Sequence, residues 1–178
     1  MAIFVSLSAF HQTSFADPWQ ARDSIVWGGA SFSLPQLPLE PELFRIEQES
    51  GEVIFSGGGS GNHRGYVGTW LVSRGNLFLW KMPGVPVKSR EKLLDALDCE
   101  KFPIPATWFT GKLQLPVGDF DESSQTWPLV IELRIKDGVI FKTLTKKNEP
   151  ERFIDEKKSN GPEKSKGKIK VSGTKKAG

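Results

Sequence analysis

Two neighbouring side chains with acid–base and anion-binding chemistry stand directly after a glycine-rich loop. His63 and Arg64 follow the Gly/Ser run at residues 57–61, and Tyr66 is two residues beyond Arg64. A histidine can act as a general base, and an arginine can stabilise an oxyanion or a phosphate. We therefore expect a ligand or a partner to bind in this region, at one end of the predicted β-structure. The residues expected there are His63, Arg64, Tyr66 and Trp108.

The glycine-rich loop matches neither of the two common phosphate-binding motifs. A Walker loop ends in Gly-Lys-Ser/Thr, whereas this loop continues into Asn62, His63 and Arg64. A Rossmann loop runs into a helix, whereas the residues after Gly65 have the pattern of a strand. We therefore interpret the run as a mobile hairpin loop rather than as a nucleotide site.

The remaining reactive residues give no catalytic or metal-binding motif. Asp119, Asp121 and Glu122 form an acidic loop that lacks the EF-hand pattern, which indicates a solvated loop. One cysteine and two histidines are too few for a Cys/His zinc site, and Cys99 is interpreted as a buried structural thiol. The Gly-x-Ser-x-Gly motif of serine hydrolases is absent. The sequence therefore predicts no catalytic residue, no metal ligand and no cofactor.

Alternating apolar residues and tight turns predict a mainly β protein that positions these side chains. Ser73-Arg74-Gly75 and Asp137-Gly138 are typical hairpin turns, and only Arg90–Cys99, with Ser89 as its N-cap, has helical spacing. We expect antiparallel hairpins closed into a barrel or sandwich, with one short α-helix. The predicted strands are Leu43–Glu47, Val53–Phe55, Gly65–Val72, Asn76–Lys81, Thr107–Leu115, Leu129–Lys136 and Val139–Leu144.

The aromatic composition favours a core built from tryptophan and phenylalanine. The chain has 6 Trp and 12 Phe but only 1 Tyr. Trp70, Trp80 and Trp108 fall on predicted strands, where large aromatic side chains usually fill the core. Packing in the core is therefore favoured for these three residues over stacking against a sugar or a base.

The first 41 residues contain two segments with alternative interpretations. Met1–Phe10 alternates like a first β-strand, although Ser14-Phe15-Ala16 has the form of a signal-peptidase site. No Lys or Arg precedes the apolar run, so we expect a cytoplasmic protein and keep secretion as the alternative. Asp17–Pro41 ends with proline at every third position, which predicts an extended connection over the surface.

The net charge of +3 is the sum of two unlike parts. Residues 146–178 hold 11 basic and 5 acidic residues, a net charge of +6, whereas residues 1–145 have a net charge of −3. We expect one β-rich domain over residues 1–145 and a flexible Lys-rich tail over residues 146–178. Nucleic acid is a possible partner through that tail alone. No apolar stretch approaches the ~20 residues that span a bilayer, so no membrane span is expected.

Three sequence blocks resemble a group of uncharacterised small bacterial proteins. Those proteins carry an Arg-Gly-Tyr-x-x-Thr-Trp hairpin and, later, an Ala-x-Trp-Phe-Ser/Thr-Gly-x-Leu segment. The resemblance spans residues 64–140 and implies no activity, so it supplies no catalytic residue. The blocks that carry it are Arg64-Gly65-Tyr66-Val67-Gly68-Thr69-Trp70-Leu71-Val72, Gly75-Asn76-Leu77-Phe78-Leu79 and Ala106-Thr107-Trp108-Phe109-Thr110-Gly111-Lys112-Leu113.

These observations lead to one expected function and two alternatives. The expected function is a non-enzymatic binding or interaction protein, such as a bacterial immunity or inhibitor protein or a ligand-binding β domain. Its partner is an unidentified protein or a small ligand. One alternative is a small enzyme with a polar centre at His63 and Arg64, and the other is nucleic-acid binding through the basic tail.

Overall fold

The computed structural model describes residues 20–148. The predicted strand Met1–Phe10 and residues 149–178 of the predicted tail lie outside that part of the chain. Eight strands and two helices make up the described part. They are β1 (Asp23–Trp27), β2 (Ala30–Leu34), α1 (Glu40–Ser50), β3 (Thr69–Ser73), β4 (Asn76–Lys81), α2 (Val87–Ala96), β5 (Ile104–Pro105), β6 (Gly111–Val117), β7 (Leu129–Lys136) and β8 (Val139–Lys147).

The strands form one mixed sheet, which confirms the mainly β class but not the barrel. The strand order is β2-β1-β3-β4-β8-β7-β6, with β5 paired to β4, and β1 runs parallel to β3. Gln36, two residues after β2, contacts β6, because the N–H of Gln114 donates to its Oε1 at 3.0 Å, but β2 and β6 are not neighbours in the strand order. The sheet is therefore not closed into a barrel, and the barrel form of the prediction is not supported.

The two hairpins predicted from their turns are confirmed. β3 and β4 are joined at Arg74 and Gly75, with φ of 49° and 77°, and β7 and β8 are joined at Asp137 and Gly138, with φ of 50° and 76°. Positive φ at both central residues is the requirement of a type I′ turn. Gly138 is also closely packed, since a Cβ atom there would lie 2.7 Å from the carbonyl oxygen of Ala106.

Helix α1 replaces the predicted strand Leu43–Glu47. It has Pro41 in its first turn, acidic side chains at that same end, and Gly51 as a left-handed C-cap with φ of 71°. Proline near the start and glycine just past the end are the usual boundaries of a helix. Five residues are too few to separate helical from strand periodicity, and this is why the prediction failed. Val53–Phe55 is not a strand either.

The segment predicted as a surface connection contributes a hairpin and part of the core. β1 and β2 pair around Gly28 and Gly29, whose φ values are 60° and 83°. After β2 the chain keeps its apolar residues inward, so Leu34, Leu37 and Leu39 are buried. The prolines of this segment therefore direct the chain across the core towards α1, and the prediction of a surface connection is wrong.

Two element boundaries differ from the sequence pattern at prolines. α2 begins at Val87 with Pro86 as its N-cap, three residues before the predicted start, and it buries Leu93. β6 continues through Pro116, which was expected to end it, and Pro116 pairs with Val130. A proline is tolerated there because β6 is the last strand of the sheet and one of its edges needs no ladder hydrogen bonds.

The core lies between the sheet and the two helices. Trp70, Tyr66 and Phe109 are buried in it, whereas Trp80 is exposed on β4. Trp108 is partly buried and packs against the cluster. Across residues 20–148, neither helix is long and apolar enough to cross a lipid bilayer.

Candidate functional site

The four residues expected to form one site lie in two separate depressions beside α1. His63, Arg64 and Tyr66 line a pocket of about 240 Å³. Trp108 lines a larger groove of about 920 Å³ between α1 and the segment that joins α2 to β5. Phe44, on α1, borders both. Three of the four residues therefore lie together, and Trp108 lies in the other depression.

Arg64 is held by a buried carboxylate that the sequence analysis did not single out. The side chain of Asp23 has 0% of its surface exposed, and its Oδ1 lies 3.3 Å from Nη1 of Arg64. The same Oδ1 accepts the N–H of Gly68 at 3.0 Å, and Oδ2 accepts Nε1–H of Trp70 at 2.9 Å. Arg64 also donates to the backbone carbonyl of Ala21. Two of its guanidinium nitrogens, Nη1 and Nη2, are thus engaged within the protein, whereas Nε is buried without a hydrogen-bond partner in the described part of the chain.

The Arg-Gly-Tyr block of the sequence forms a cradle for Asp23. A Cβ atom on Gly68 would lie 2.8 Å from Oδ2 of Asp23, so glycine is needed for the carboxylate to approach the backbone. Arg64, Gly68 and Trp70 then supply donors from one side. The only sequence signal for this role is an acidic residue at the start of the otherwise apolar strand β1.

Burial and hydrogen bonding act in opposite directions on the Asp23 carboxyl group. Burial raises its pKa, whereas the hydrogen bonds from Trp70 and Gly68 and the charge of Arg64 lower it; burial is the larger effect. A carboxylate that is costly to bury needs all of these donors to remain in place. The role of Asp23 is therefore structural: its hydrogen bonds hold β1 against the segment from Arg64 to Trp70.

Tyr66 joins this network to α1. Its hydroxyl donates to Oε1 of Glu40 at 2.8 Å, and the guanidinium carbon of Arg64 lies 4.8 Å from the centre of its ring. The ring of Phe55 packs at a centroid distance of 5.0 Å. Burial, followed by the charges of Asp23 and Glu40, raises the pKa of Tyr66 well above its usual value of 10.0.

This raised pKa predicts a loss of stability in alkali. Because the folded protein resists ionisation of Tyr66, the stability from this group is present below about pH 10 and is lost as the pH rises through the higher folded-state pKa. Tyr66→Phe is expected to remove that pH dependence. Tyr66 is the only tyrosine of the chain, so its tyrosinate absorbance can be followed directly. A midpoint in the folded protein at or below that in urea would contradict the prediction.

The larger groove combines an apolar wall with acidic rims. Phe44 is 65% exposed on one side, and Leu97, Ile104 and Trp108 lie across from it or on its floor. Trp108 is fixed because its Nε1–H donates to the carbonyl of Pro38 at 3.0 Å. The remaining side chains at the groove are Pro41, Glu42, Arg45, Gln48, Glu49, Ala96, Asp98, Cys99, Pro105 and Thr107.

Charges along α1 are organised around one arginine. Arg45 donates to Oε1 of Glu42 at 2.6 Å and also to Glu49 one turn further on. Glu40 and Glu47 lie on the neighbouring side of the helix, at the smaller pocket. α1 thus carries four glutamates against one arginine and presents negative charge to both depressions.

The other sequence candidates have local structural explanations. In the acidic loop, the side chains of Ser123 and Ser124 donate to Asp121 and lower its pKa to about 2. In the glycine-rich loop, the N–H groups of Gly58 and Asn62 already donate to backbone carbonyls, so they do not point at a ligand. Among residues 20–148, no group of three or more His, Cys, Asp or Glu side chains could hold a metal ion.

Comparison of the chain with protein-family models, with curated proteins and with solved structures gave no match.

Proposed function

We propose that the protein is a non-enzymatic binding protein and that the groove beside α1 is its docking surface for a partner protein. The observation that carries this proposal is the position of Phe44, a large apolar side chain held 65% exposed at the border of a groove of about 920 Å³. Exposed aromatic side chains beside a preformed depression are typical anchors of protein interfaces.

The shape of the groove favours a peptide segment over a small ligand. One wall is a helix of 11 residues, and the facing wall is the irregular chain after α2. Phe44, Leu97 and Trp108 line it together with charged side chains. A partner helix or extended segment with one apolar anchor can fill such a groove, in the way that amphipathic segments bind between helices.

The charge of the groove selects a basic partner. Glu42, Glu49 and Asp98 line it against the single cation of Arg45. Lys or Arg side chains of a partner would be steered towards these carboxylates and would be held at the rim. An immunity or inhibitor protein that covers the basic surface of a bacterial protein fits this charge and this size. The enzyme hypothesis has less support, since the guanidinium of Arg64 is engaged with Asp23 and Ala21.

Replacing the anchor should abolish binding without harming the fold. Phe44→Ser is expected to weaken retention of the partner at least tenfold, because exposed aromatic anchors at hot spots contribute about 2 kcal/mol or more. The measurement is retention of proteins from an extract of the native host by the immobilised full-length chain. Val87→Ser is the matched control, since Val87 is 59% exposed but lies at the start of α2, outside the residues that line the groove.

The pattern of retention across the variants decides the proposal. A basic protein that is retained by the wild type and by Val87→Ser, but lost with Phe44→Ser, supports it. Equal retention by both variants, or binding of small molecules alone to the groove, contradicts it. Retention that survives Phe44→Ser but is lost with His63→Ala would place the interface at the smaller pocket instead.

A further inference from the structure

The outer face of β6, β7 and β8 carries five cations that the backbone register brings together. We call this surface the basic face and define it as Lys112, Arg134, Lys136, Lys142 and Lys146. The residues next to two of them, Leu113 and Leu133, are buried, so the basic side chains point away from the core. Lys112, Lys136 and Lys142 are exposed.

Three of these cations stand in a row across three adjacent strands. Lys112 pairs with Arg134 in the β6–β7 ladder, and Arg134 pairs with Lys142 in the β7–β8 ladder. Neighbouring strands are about 4.8 Å apart, and like charges directly opposite each other destabilise a sheet. The row therefore costs stability in the isolated protein, which is typical of positions kept for binding.

One buried glutamate offsets only part of this repulsion. Glu132 accepts from Nε of Arg134 at 2.9 Å and from Nζ of Lys146. Hydrogen bonds from Lys146 and Arg134 lower its pKa, so it is ionised at neutral pH. Five cations against this one carboxylate leave the basic face strongly positive.

An exposed aromatic residue lies beside the row. Phe141 is the extra residue of a β-bulge between Ile140 and Lys142 and is 65% exposed. Sheet surfaces that combine cations with exposed aromatic side chains bind single-stranded nucleic acid, because the cations follow the phosphates and the aromatic ring stacks on a base. A lipid surface offers anionic headgroups but no flat base for such a ring.

We propose that the basic face binds single-stranded nucleic acid, with Lys112, Arg134 and Lys142 on phosphates and Phe141 against a base. This surface is distinct from the acidic groove and does not depend on it. β8 ends at Lys147, and residues 149–178 follow with 9 basic and 5 acidic residues, which extends the positive charge along the chain. The folded face, rather than the tail, is the anchor of the complex.

The test measures the affinity of the full-length protein for an oligothymidylate of about 20 nucleotides, longer than the ~4–16 nucleotides that one such fold contacts. The face variant is Lys112→Gln, Lys136→Gln and Lys142→Gln. Two controls remove the same charge: Lys88→Gln, Lys92→Gln and Lys101→Gln near α2, and Lys164→Gln, Lys166→Gln and Lys168→Gln in the tail. Binding is followed by fluorescence anisotropy at several salt concentrations.

The face variant is expected to lose at least tenfold in affinity. The slope of the logarithm of affinity against the logarithm of salt concentration should fall by about 1.4, since the variant removes two of the proposed phosphate contacts, those of Lys112 and Lys142, and each contact on a single strand contributes about 0.7. Neither control should change the affinity by more than about threefold. Phe141→Ser should weaken binding with the salt slope unchanged, because stacking releases no counterions.

A second readout follows from the repulsion within the row. Lys142→Gln alone is expected to raise the melting temperature of the free protein by about 1–3 °C at low salt while it weakens binding. Equal losses in the face and tail variants, preference for duplex DNA or for phosphatidylserine vesicles over the oligothymidylate, or no binding by the wild type would each overturn the proposal.

Discussion

Asp23→Ala is expected to lower the free energy of unfolding by about 3 kcal/mol, because it leaves a partly buried guanidinium without its counter-charge and two buried donors without their acceptor. The side chain of Arg64 is only 12% exposed, and it would lose the carboxylate at 3.3 Å. The N–H of Gly68 and the indole N–H of Trp70 would lose their acceptors in the same step. Each unsatisfied buried donor adds about 1–3 kcal/mol, although the costs overlap.

Burial of the Asp23 charge is itself unfavourable, as its raised pKa indicates, so the expected loss comes from the donors left behind. A double-mutant cycle with Arg64→Met separates the two effects. Asp23→Ala should cost less in the Arg64→Met background, because no buried cation is then left unpaired. The measurement is urea unfolding followed by tryptophan fluorescence. Asp95→Ala, at an exposed position on α2, is the control, and an equal effect of Asp23→Ala and Asp95→Ala would refute the assigned role.

Gly65→Ala should destabilise the protein by about 1–3 kcal/mol more than Gly84→Ala. The two glycines have nearly equal φ, 75° and 73°, so both substitutions carry the same left-handed penalty of about 1–2 kcal/mol. A Cβ atom on Gly65 would lie 2.1 Å from the carbonyl oxygen of Ser56, whereas one on Gly84 meets no atom within 4 Å.

The comparison isolates the packing of the turn that precedes Tyr66. Gly65 lies between Arg64 and Tyr66, so the displacement forced by a Cβ atom reaches both side chains of the Asp23 network. Urea unfolding of both variants measures the difference in stability. Equal destabilisation by the two substitutions would mean that the backbone at Ser56 moves aside at no cost in free energy. The close packing described for this turn would then not contribute to stability.

The sequence predicts the parts of the fold that depend on local chemistry. Arg74-Gly75 and Asp137-Gly138 identify their hairpins because two adjacent residues set the turn type. The register of β7 and β8 follows from the second turn over most of their length. Such features need no knowledge of distant residues.

Other parts depend on contacts that no local pattern encodes. The parallel pairing of β1 with β3 joins Ser24 to Thr69, and the Asp23 network joins residues more than 40 positions apart. Pro41 and Gly51 mark the ends of α1, but the short apolar pattern of Leu43–Glu47 between them fits a strand as well as a helix. With α1 missing from the prediction, His63 and Trp108 were expected at one site, whereas the helix borders two.

The two proposed binding surfaces show the same contrast between residues that the sequence reveals and an arrangement that only the fold creates. The cations of β6, β7 and β8 are visible in the sequence, but their row depends on the register of two ladders. Phe44 is an ordinary apolar residue of a helix until the groove beside it is known. The function-bearing surfaces therefore emerge from packing rather than from a motif.

The most direct test of the docking groove uses the single cysteine of the chain. Cys99 lies in the groove and is partly buried, so a photoreactive crosslinker attached to it reports on whatever occupies that surface. In an extract of the native host, we expect light to produce one adduct with a basic protein, present in the wild type and in Val87→Ser but lost in Phe44→Ser. An adduct that is unaffected by Phe44→Ser, or no protein adduct at all, would contradict the assignment of the groove as the docking surface.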